Sequence, residues 1–377
     1  MNSFPQNGPP TPPAPPPRGI GWLLSASLVL NGLLLGAGTV LLGVFWLLQP
    51  VWSGLFPSSQ LTEKQRPGSG SGKPKIAIIQ ISGMLIEGAL DYTYRQIEQA
   101  AADRDVQAVV LRVNSPGGTM TSSDELHRRI SLLTQGDPDR NRPPKQAVIA
   151  SFGALAASGA YYLAMPASEI FIDRVGVTGS IGVFASLPTV EELAKRQGFG
   201  VQTIKQGEIK DSGSPFHQLS PKERQVWQDL IDTSYNRFAD VVEKGRGTRL
   251  KKGLLEKFEL KPVNAGPAGS HKEAPAYQRY LADGGIFTTA RALELGLVDQ
   301  IGPLEEAIQR VSKLANLEPT CRVVEYEKPR APAEWALGVQ APWGISPGGL
   351  ADALTPRVWA LAPGMEVAAL LALAGSQ

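Results

Sequence analysis

"QAVIASFGALAASGAYYLAM" (residues 146–165) contains a strand-like run, a stretch of small residues, one serine and a tyrosine pair. The β-branched and aromatic content of Gln146–Phe152 predicts a buried strand, and a helix is predicted to open near Ser158. A strand that turns quickly into a helix is half of a repeating α/β unit, so the fold depends on whether the neighbouring segments repeat it. They do. "KIAIIQI" (75–81) and "VQAVVLRV" (106–113) are further buried strands, and helical spacing follows each, over "LDYTYRQIEQAAAD" (90–103) and over Thr121–Leu133. Repetition of this kind predicts an α/β domain with largely parallel strands. A longer helix is predicted over 220–247, with Ser220 as its cap and Pro221 in its first turn.

Composition excludes several classes of function. The 377 residues are 42% hydrophobic and 19% charged, enough for one large core or two modest ones. A formal net charge of +2 gives no broad basic field, so nucleic acid is not an expected partner. The single cysteine, Cys321, can form no intrachain disulfide and lacks companions for a metal site. HExxH, CxxC and GxxxxGK[ST] motifs are absent, so zinc hydrolysis and P-loop chemistry have no foothold; neither a metal nor a cofactor is expected.

The ends of the chain are unlike its middle. Residues 1–18 are too proline-rich for helix or sheet and read as a disordered tail. Residues 19–52 carry no charge and exceed the roughly 20 residues that span a bilayer. Trp22, Trp46 and Trp52 lie toward the ends of this run, as interfacial anchors do. The run is too long for a signal-peptide core and has no polar alternation, so it is read as one transmembrane helix. The expected orientation puts the N-terminus in the cytoplasm and the rest of the chain on the opposite side, although Lys64, Arg66 and Lys73 outnumber Arg18 as basic flanks. A Ser/Gly/Pro-rich linker is predicted over 53–74, the folded domain over 75–320 and a proline-rich tail over 321–377.

Two stretches could carry chemistry. In "RVNSPGG" (112–118) a strand ends at a proline and two glycines, whose backbone N–H groups could face a ligand as an oxyanion hole does; a plain strand-to-helix turn would look the same. Ser158 sits at a helix start, where it could be a nucleophile, a cap or a packing residue. A nucleophile needs a base. His127, His217 and His271 have no evident acidic partner in sequence, which leaves a Ser-His triad unsupported. A lysine held neutral by apolar surroundings can serve instead, and "IKQGEIKDSGSPF" (204–216) offers Lys205 and Lys210, although loop lysines are usually just solvated.

Taken in order, "VNSPGG", "ASFGALAASGAYYLAMPASEIFID", "VTGSIGVF", "GEIKDSGSP", "SYNRFADVVEKGRG" and "ARALELGLVDQIG" resemble the signal peptide peptidase SppA family over about residues 75–315. The resemblance implies the fold shared by the Clp protease subunit and the crotonases, built from repeated ββα units. It also implies a serine endopeptidase with a Ser/Lys dyad: Ser158 as nucleophile, Lys210 as general base, Ser180 as auxiliary hydroxyl, and backbone N–H groups of Gly118 and Gly159 at the oxyanion. Only one copy of the unit is present, and single-unit members build rings in which neighbouring subunits can share the serine and lysine. A homo-oligomer is therefore expected, with an octamer as the size the resemblance suggests. Its expected partners are the membrane and hydrophobic peptide substrates such as signal peptides.

The sequence departs from the family pattern at Gly285, where an arginine is usual, at Thr289, where a glycine is usual, and in the insertion 261–276. A Clp-type histidine is missing from "TGSIGVFAS", and the acids of a crotonase-type acyl-CoA enzyme are replaced by alanine and serine. The competing reading of another class is a catalytically silent membrane scaffold, which would not need Ser158, Lys210 and the glycine pair together.

Overall fold

β-Branched strands buried on both faces are the natural interior of a parallel sheet, and four of them form the centre of this one. In the computed structural model, β2 (Lys75–Ser82), β3 (Val106–Ser115), β5 (Ala147–Ala157) and β6 (Glu169–Ile172) lie side by side and parallel. The structure describes residues 61–261, 276–318, 321–327 and 358–365, together with Ser27, Asn31, Gly32, Leu35, Gly36, Gly38 and Thr39. Among the described residues the sheet has nine strands. Outside β2 run parallel β13 (Arg322–Glu327) and then antiparallel β1 (Thr62–Gln65); outside β6 runs parallel β12 (Gln300–Ile301). β7 (Val177–Gly179) follows the far end of β5 in parallel and carries β11 (Ile286–Thr288) antiparallel to it.

Strand alternation divides the apolar residues between two cores. Ala77, Ile79 and Ile81 of β2 and Val109, Leu111 and Val113 of β3 belong to the larger. Against that face pack α1 (Asp91–Ala102) through Ile97, α2 (Met120–Gln135) through Leu126 and Ile130, and α3 (Gly159–Tyr162). The last turns of α5 (Pro221–Arg246) join them through Phe238, Val241 and Val242. Ile76, Ile78, Ala108 and Val110 face the other way, onto Ala307 and Val311 of α7 (Leu304–Leu314). The short helices α4 (Glu191–Arg196) and α6 (Thr289–Glu294) and the antiparallel pair β9 (Phe258–Leu260) and β10 (Tyr277–Arg279) complete the periphery. α5 begins as its sequence dictates: the Ser220 hydroxyl accepts the Glu223 N–H, the Glu223 carboxylate accepts the Ser220 N–H, and Pro221 fills the first turn.

A second, three-stranded sheet lies at the carboxyl ends of the central strands. β14 (Val358–Leu361) runs between β4 (Gly117–Thr119) and β8 (Phe184–Ala185), antiparallel to both.

Three boundaries differ from the sequence reading. Thr62–Gln65, inside the predicted linker, is an edge strand; "TEKQ" has no apolar alternation, and only its pairing with Glu327–Val324 makes it a strand. Arg322–Glu327, inside the predicted tail, is a core strand whose Val323, Val324 and Tyr326 are buried. The same tail supplies β14. The predicted anchor 19–52 lies outside the described residues except for the seven isolated helical positions, and the insertion falls largely outside them. Among the described residues no helix is long and apolar enough to cross a membrane.

Candidate active site

β5 ends at Ala157, and the chain enters α3 through one sharply turned residue, Ser158, with φ +57° and ψ −121°. An L-residue held in such a sparsely populated conformation costs about 1–3 kcal/mol, so something must hold it. The Ser158 N–H donates to the Gly179 carbonyl at 2.7 Å, and the Ser158 carbonyl accepts the N–H groups of Tyr161 and Tyr162, both at 2.9 Å. Both tyrosines are fully buried. The Tyr161 hydroxyl donates to the Leu297 carbonyl at 2.8 Å, the Tyr162 hydroxyl donates to Asp124, and the Tyr162 ring meets Phe238 edge-on at 5.1 Å. The tyrosine pair thus anchors the turn.

The Ser158 side chain does not act as a cap, because it makes no capping hydrogen bond. Its Oγ is buried and has no hydrogen-bond partner among the described residues. Leaving a buried hydroxyl unpaired costs about 1–3 kcal/mol, on top of the backbone strain. Neither cost serves packing, and their coincidence is expected of a reactive group.

The glycines around Ser158 are required by close approach. A Cβ on Gly118 would lie 1.9 Å from the Leu85 carbonyl oxygen, and one on Gly159 would lie 2.2 Å from Ser123 Oγ. Gly117 adopts φ +97°, and a Cβ there would lie 2.1 Å from the Ala360 carbonyl oxygen and 2.8 Å from the Gly159 nitrogen. The stretch is more than a plain turn. The Leu85 N–H donates to the Gly117 carbonyl at 2.9 Å and the Thr119 N–H to the Leu85 carbonyl at 2.8 Å, which fixes β4 as a strand beside Ser158.

Ser180 follows β7 with φ +53° and is buried. Its N–H donates to the Gly285 carbonyl at 2.9 Å and its hydroxyl to the Gly284 carbonyl at 3.0 Å, with the Leu361 carbonyl at 3.5 Å. The two departures from the family pattern are absorbed locally. A Cβ on Gly285 would lie 2.2 Å from Arg279 Nη2, so the Arg279 guanidinium, 4.1 Å above the Phe287 ring, fills the space a side chain at 285 would use. Thr289 is buried and uses its hydroxyl: it accepts the Gly176 N–H at 2.8 Å and bonds the Asp173 carbonyl at 2.9 Å.

Lys210 is elsewhere. It lies in an exposed turn, its N–H bonded to the Gly207 carbonyl at 3.2 Å, and the unpartnered Ser158 Oγ means that the two side chains do not meet within one protomer. Lys205, the other lysine of that loop, is paired with Asp211. Asp211, His217 and Glu223 bring their ligand atoms within 4.8 Å of one another, but Lys205 neutralises the first and the Ser220 N–H occupies the last. The cluster staples the loop to the start of α5. His127 packs against Tyr162, the rings tilted by 60° with centroids 5.2 Å apart; its pKa is lowered by burial, and it makes no hydrogen bond to Ser158. His271 lies outside the described residues.

The sequence reading missed Leu85, Ser123 and β14. The first two matter only through backbone and hydroxyl positions next to glycines, and β14 carries no local pattern that names its partners. Buried polar residues beside the turn include Ser123, whose hydroxyl lies against Gly159, and Thr178 and Ser180, which flank the Gly179 carbonyl that holds the Ser158 N–H; all three are hydroxyls. Such surroundings favour a neutral base and an uncharged nucleophile.

Comparison with known proteins places the chain in a family. Residues 140–254, which include Ser158, Ser180 and Lys210, match the model described as peptidase family S49. A Synechocystis protein named "Putative protease" is 33% identical over 253 residues, covering 67% of this chain and 79% of its own length. An Enterococcus faecium protein named "Putative signal peptide peptidase SppA" is 30% identical over 283 residues, covering 72% of each chain. Protease 4 of Haemophilus influenzae is 31% identical over 260 residues, 67% of this chain but only 37% of the longer relative.

Proposed function

This chain belongs to peptidase family S49 and is a serine-type protease, and from that premise we propose that it is a membrane-anchored endopeptidase working through Ser158 and Lys210. The observation that carries the reading is the Ser158 hydroxyl: buried, strained, uncapped and unpaired. In the proposed reaction a neutral Lys210 takes the proton of Ser158 as its Oγ attacks a peptide carbonyl carbon. The amine leaves with that proton, and water then releases the acyl group by the same route. Backbone N–H groups of Gly118 and Gly159 hold the developing oxyanion, a contribution of about 3–4 kcal/mol per donor. Ser180 serves as the auxiliary hydroxyl.

Because Lys210 does not reach Ser158 within one protomer, the base comes from a neighbouring copy in a ring-like homo-oligomer. Exposed apolar residues on this side of the molecule, Phe199, Val201, Ile204 and Phe216 around the lysine loop and Val226 and Leu230 on α5, are the surface such a neighbour would cover. The anchor 19–52 tethers the ring to the bilayer, with the N-terminus cytoplasmic and the catalytic domains on the other side. The substrates are hydrophobic peptides, signal peptides among them.

Hydrolysis of a hydrophobic peptide amide by Ser158→Ala, Lys210→Ala and a co-assembled mixture of the two tests this. Each variant alone is expected to lose at least 100-fold, and the mixture to regain activity at sites that combine an intact serine with an intact lysine. Full turnover by either variant refutes the dyad; a mixture as inactive as its parts refutes the sharing.

A further inference from the structure

The loop that carries Lys210 is tied to its surroundings by side chains, and His217 makes one of the ties nearest to the lysine. Residues 207–214 form a run of tight turns, in which the Lys210 N–H donates to Gly207, the Ser212 N–H to Ile209 and the Ser214 N–H to Asp211, at 3.2, 3.0 and 2.9 Å. Such turns fix the local path of the chain but not where the loop stands against the rest of the protomer. Trp227 of α5 donates to the Ser212 hydroxyl at 3.0 Å, and the Pro215 carbonyl accepts the Val190 N–H at 2.7 Å, at the start of α4. A third tie is the imidazole of His217. Its Nε2 lies 3.1 Å from the carbonyl oxygen of Asp211, the residue after Lys210, and 3.4 Å from the Asp211 carboxylate; its Nδ1 lies 2.9 Å from the Gln218 carbonyl oxygen.

Both ring nitrogens therefore face carbonyl oxygens. A neutral imidazole has one N–H and one lone pair, so it satisfies one of these contacts and turns its lone pair toward the other oxygen; the imidazolium donates to both. The charges around the ring favour the same state. Carboxylates act on it from three elements: Asp211 of the loop itself, Glu191 at the start of α4, whose Oε2 also accepts the Gln218 N–H at 3.1 Å, and Glu223 in the first turn of α5. Lys205 pairs with the first and Lys195, at 2.5 Å, with the second. Among the described residues Glu223 has no ion pair with a lysine or arginine; its carboxylate accepts the Ser220 N–H at 2.8 Å. A proton on His217 supplies the missing positive charge. The hydrogen bond to Gln218, helped by the Asp211 carbonyl and by the charges of Asp211 and Glu223, raises the His217 pKa above its ordinary value.

We propose that His217 is a positioning residue: as the imidazolium it clamps Asp211, and through it Lys210, in place, and as the neutral ring it lets the loop go. This rests on the protease reading above, in which Lys210 is delivered to the Ser158 of a neighbouring copy. The proton couples catalysis to pH in a definite direction. The folded-state value is the raised one, so the clamp is complete below the ordinary imidazole value of about 6.5 and is lost as pH rises through the raised value. Its effect is several-fold rather than a complete loss, because the side chain is 32% exposed and water screens part of each contact.

Two substitutions separate the charge from the ring in the full chain purified in detergent. His217→Phe keeps a ring without donors, and His217→Arg keeps a positive charge at every working pH. Amide hydrogen exchange of residues 207–214, expressed as protection so that the intrinsic pH dependence drops out, reads the clamp without any turnover; steady-state hydrolysis of a hydrophobic peptide reads the lysine. Between about pH 6 and about pH 9 the parent's protection is expected to fall about 3- to 10-fold, with His217→Phe low and His217→Arg high at both. The kcat of the parent is expected to exceed that of His217→Phe by about 3- to 10-fold at the lower pH and to match it at the higher, where His217→Arg overtakes both. A loop equally protected in the parent and His217→Phe, or equally protected in the parent at both pH values, overturns the clamp whatever the hydrolysis shows. His217→Arg behaving as His217→Phe does overturns the charge as its cause. A clamp seen by exchange in an active enzyme whose kcat ratio to His217→Phe ignores pH overturns the positioning of Lys210 and leaves the protease reading standing. A parent that shows the clamp but hydrolyses nothing overturns the protease reading, and with it the role given to the lysine.

Discussion

Gly118→Ala offers the sharpest test of how the site is built, because the added methyl meets backbone rather than a movable side chain. The new Cβ would lie 1.9 Å from the Leu85 carbonyl oxygen and 2.6 Å from its Cα, whereas ordinary contact begins at 3.4 Å. The strand or the loop must therefore move by about 1.5 Å, the difference between 3.4 and 1.9 Å. The hydrogen bonds flanking the clash, Leu85 N–H to Gly117 at 2.9 Å and Thr119 N–H to Leu85 at 2.8 Å, do not survive such a shift. Two buried backbone bonds lost with their groups left unpaired amount to about 2–4 kcal/mol. For a domain of this size that lowers the midpoint of thermal unfolding by about 5–15 °C. The same shift withdraws the Gly118 N–H from the oxyanion, and loss of one such donor lowers kcat about 100- to 1000-fold. Thermal unfolding by circular dichroism and steady-state peptide hydrolysis at a temperature where the variant is folded separate the two effects. Parent-like melting together with parent-like kcat would refute both the rigidity of the Leu85 contact and the role given to Gly118.

Other consequences are as direct. Arg246 is almost wholly buried, bonded bidentately to Asp299 at 2.8 Å and to the Gly296 carbonyl, so Arg246→Met, which strands the carboxylate, is expected to cost about 3–5 kcal/mol in urea unfolding. Burial would raise the Asp299 carboxyl, but the Arg246 guanidinium outweighs it and holds the pKa below the usual carboxylate range. The contribution of the pair is thus fully present above the unfolded-state value of about 3.9 and fades as pH falls through the lower folded value, a fade that Arg246→Met should lack. Burial lowers the Lys145 ammonium to about 8, so the unfolded chain holds the extra proton from there up to its ordinary value. Stability should therefore rise by about 1.4 kcal/mol per pH unit across that window, and Lys145→Met, followed by urea titration, should flatten the rise. Ser158→Gly removes both the Cβ that makes φ +57° costly and the unpaired hydroxyl; it should be inactive yet about 1 kcal/mol more stable, and a lower urea midpoint would contradict the strain assigned to this residue.

The local parts of the fold were legible because their causes are local. Residues 75–81 and 106–113 announce buried strands by composition alone, and Ser220, Pro221 and Glu223 mark the start of α5. β1 was not legible: "TEKQ" becomes a strand only through partners at Val324–Glu327. β14 is the extreme case, since its two neighbours are at 117–119 and 184–185 and nothing within "VWAL" specifies either. The site was readable in the same uneven way. Glycines and small residues around Ser158 and the lysine loop suggested chemistry, but a cap and a nucleophile share one sequence pattern, and only the backbone turn and the unpaired hydroxyl separate them. That Lys210 makes no hydrogen bond to Ser158 is a property of the folded protomer, which spacing along the chain does not encode.

The pairing of β1 with β13 also constrains how the domain is made. The Lys64–Glu327 ion pair joins positions separated by 263 residues, and both strands end the same edge of the sheet. As the chain emerges in order, β1 and the outer edge of β2 stay without partners until β13 has been delivered. The first strand out is thus among the last to be sealed, and synthesis or export that stops short of Arg322 leaves a bare sheet edge open to wrong pairing. For a chain delivered in that order, completion of the last core strand is a checkpoint on assembly.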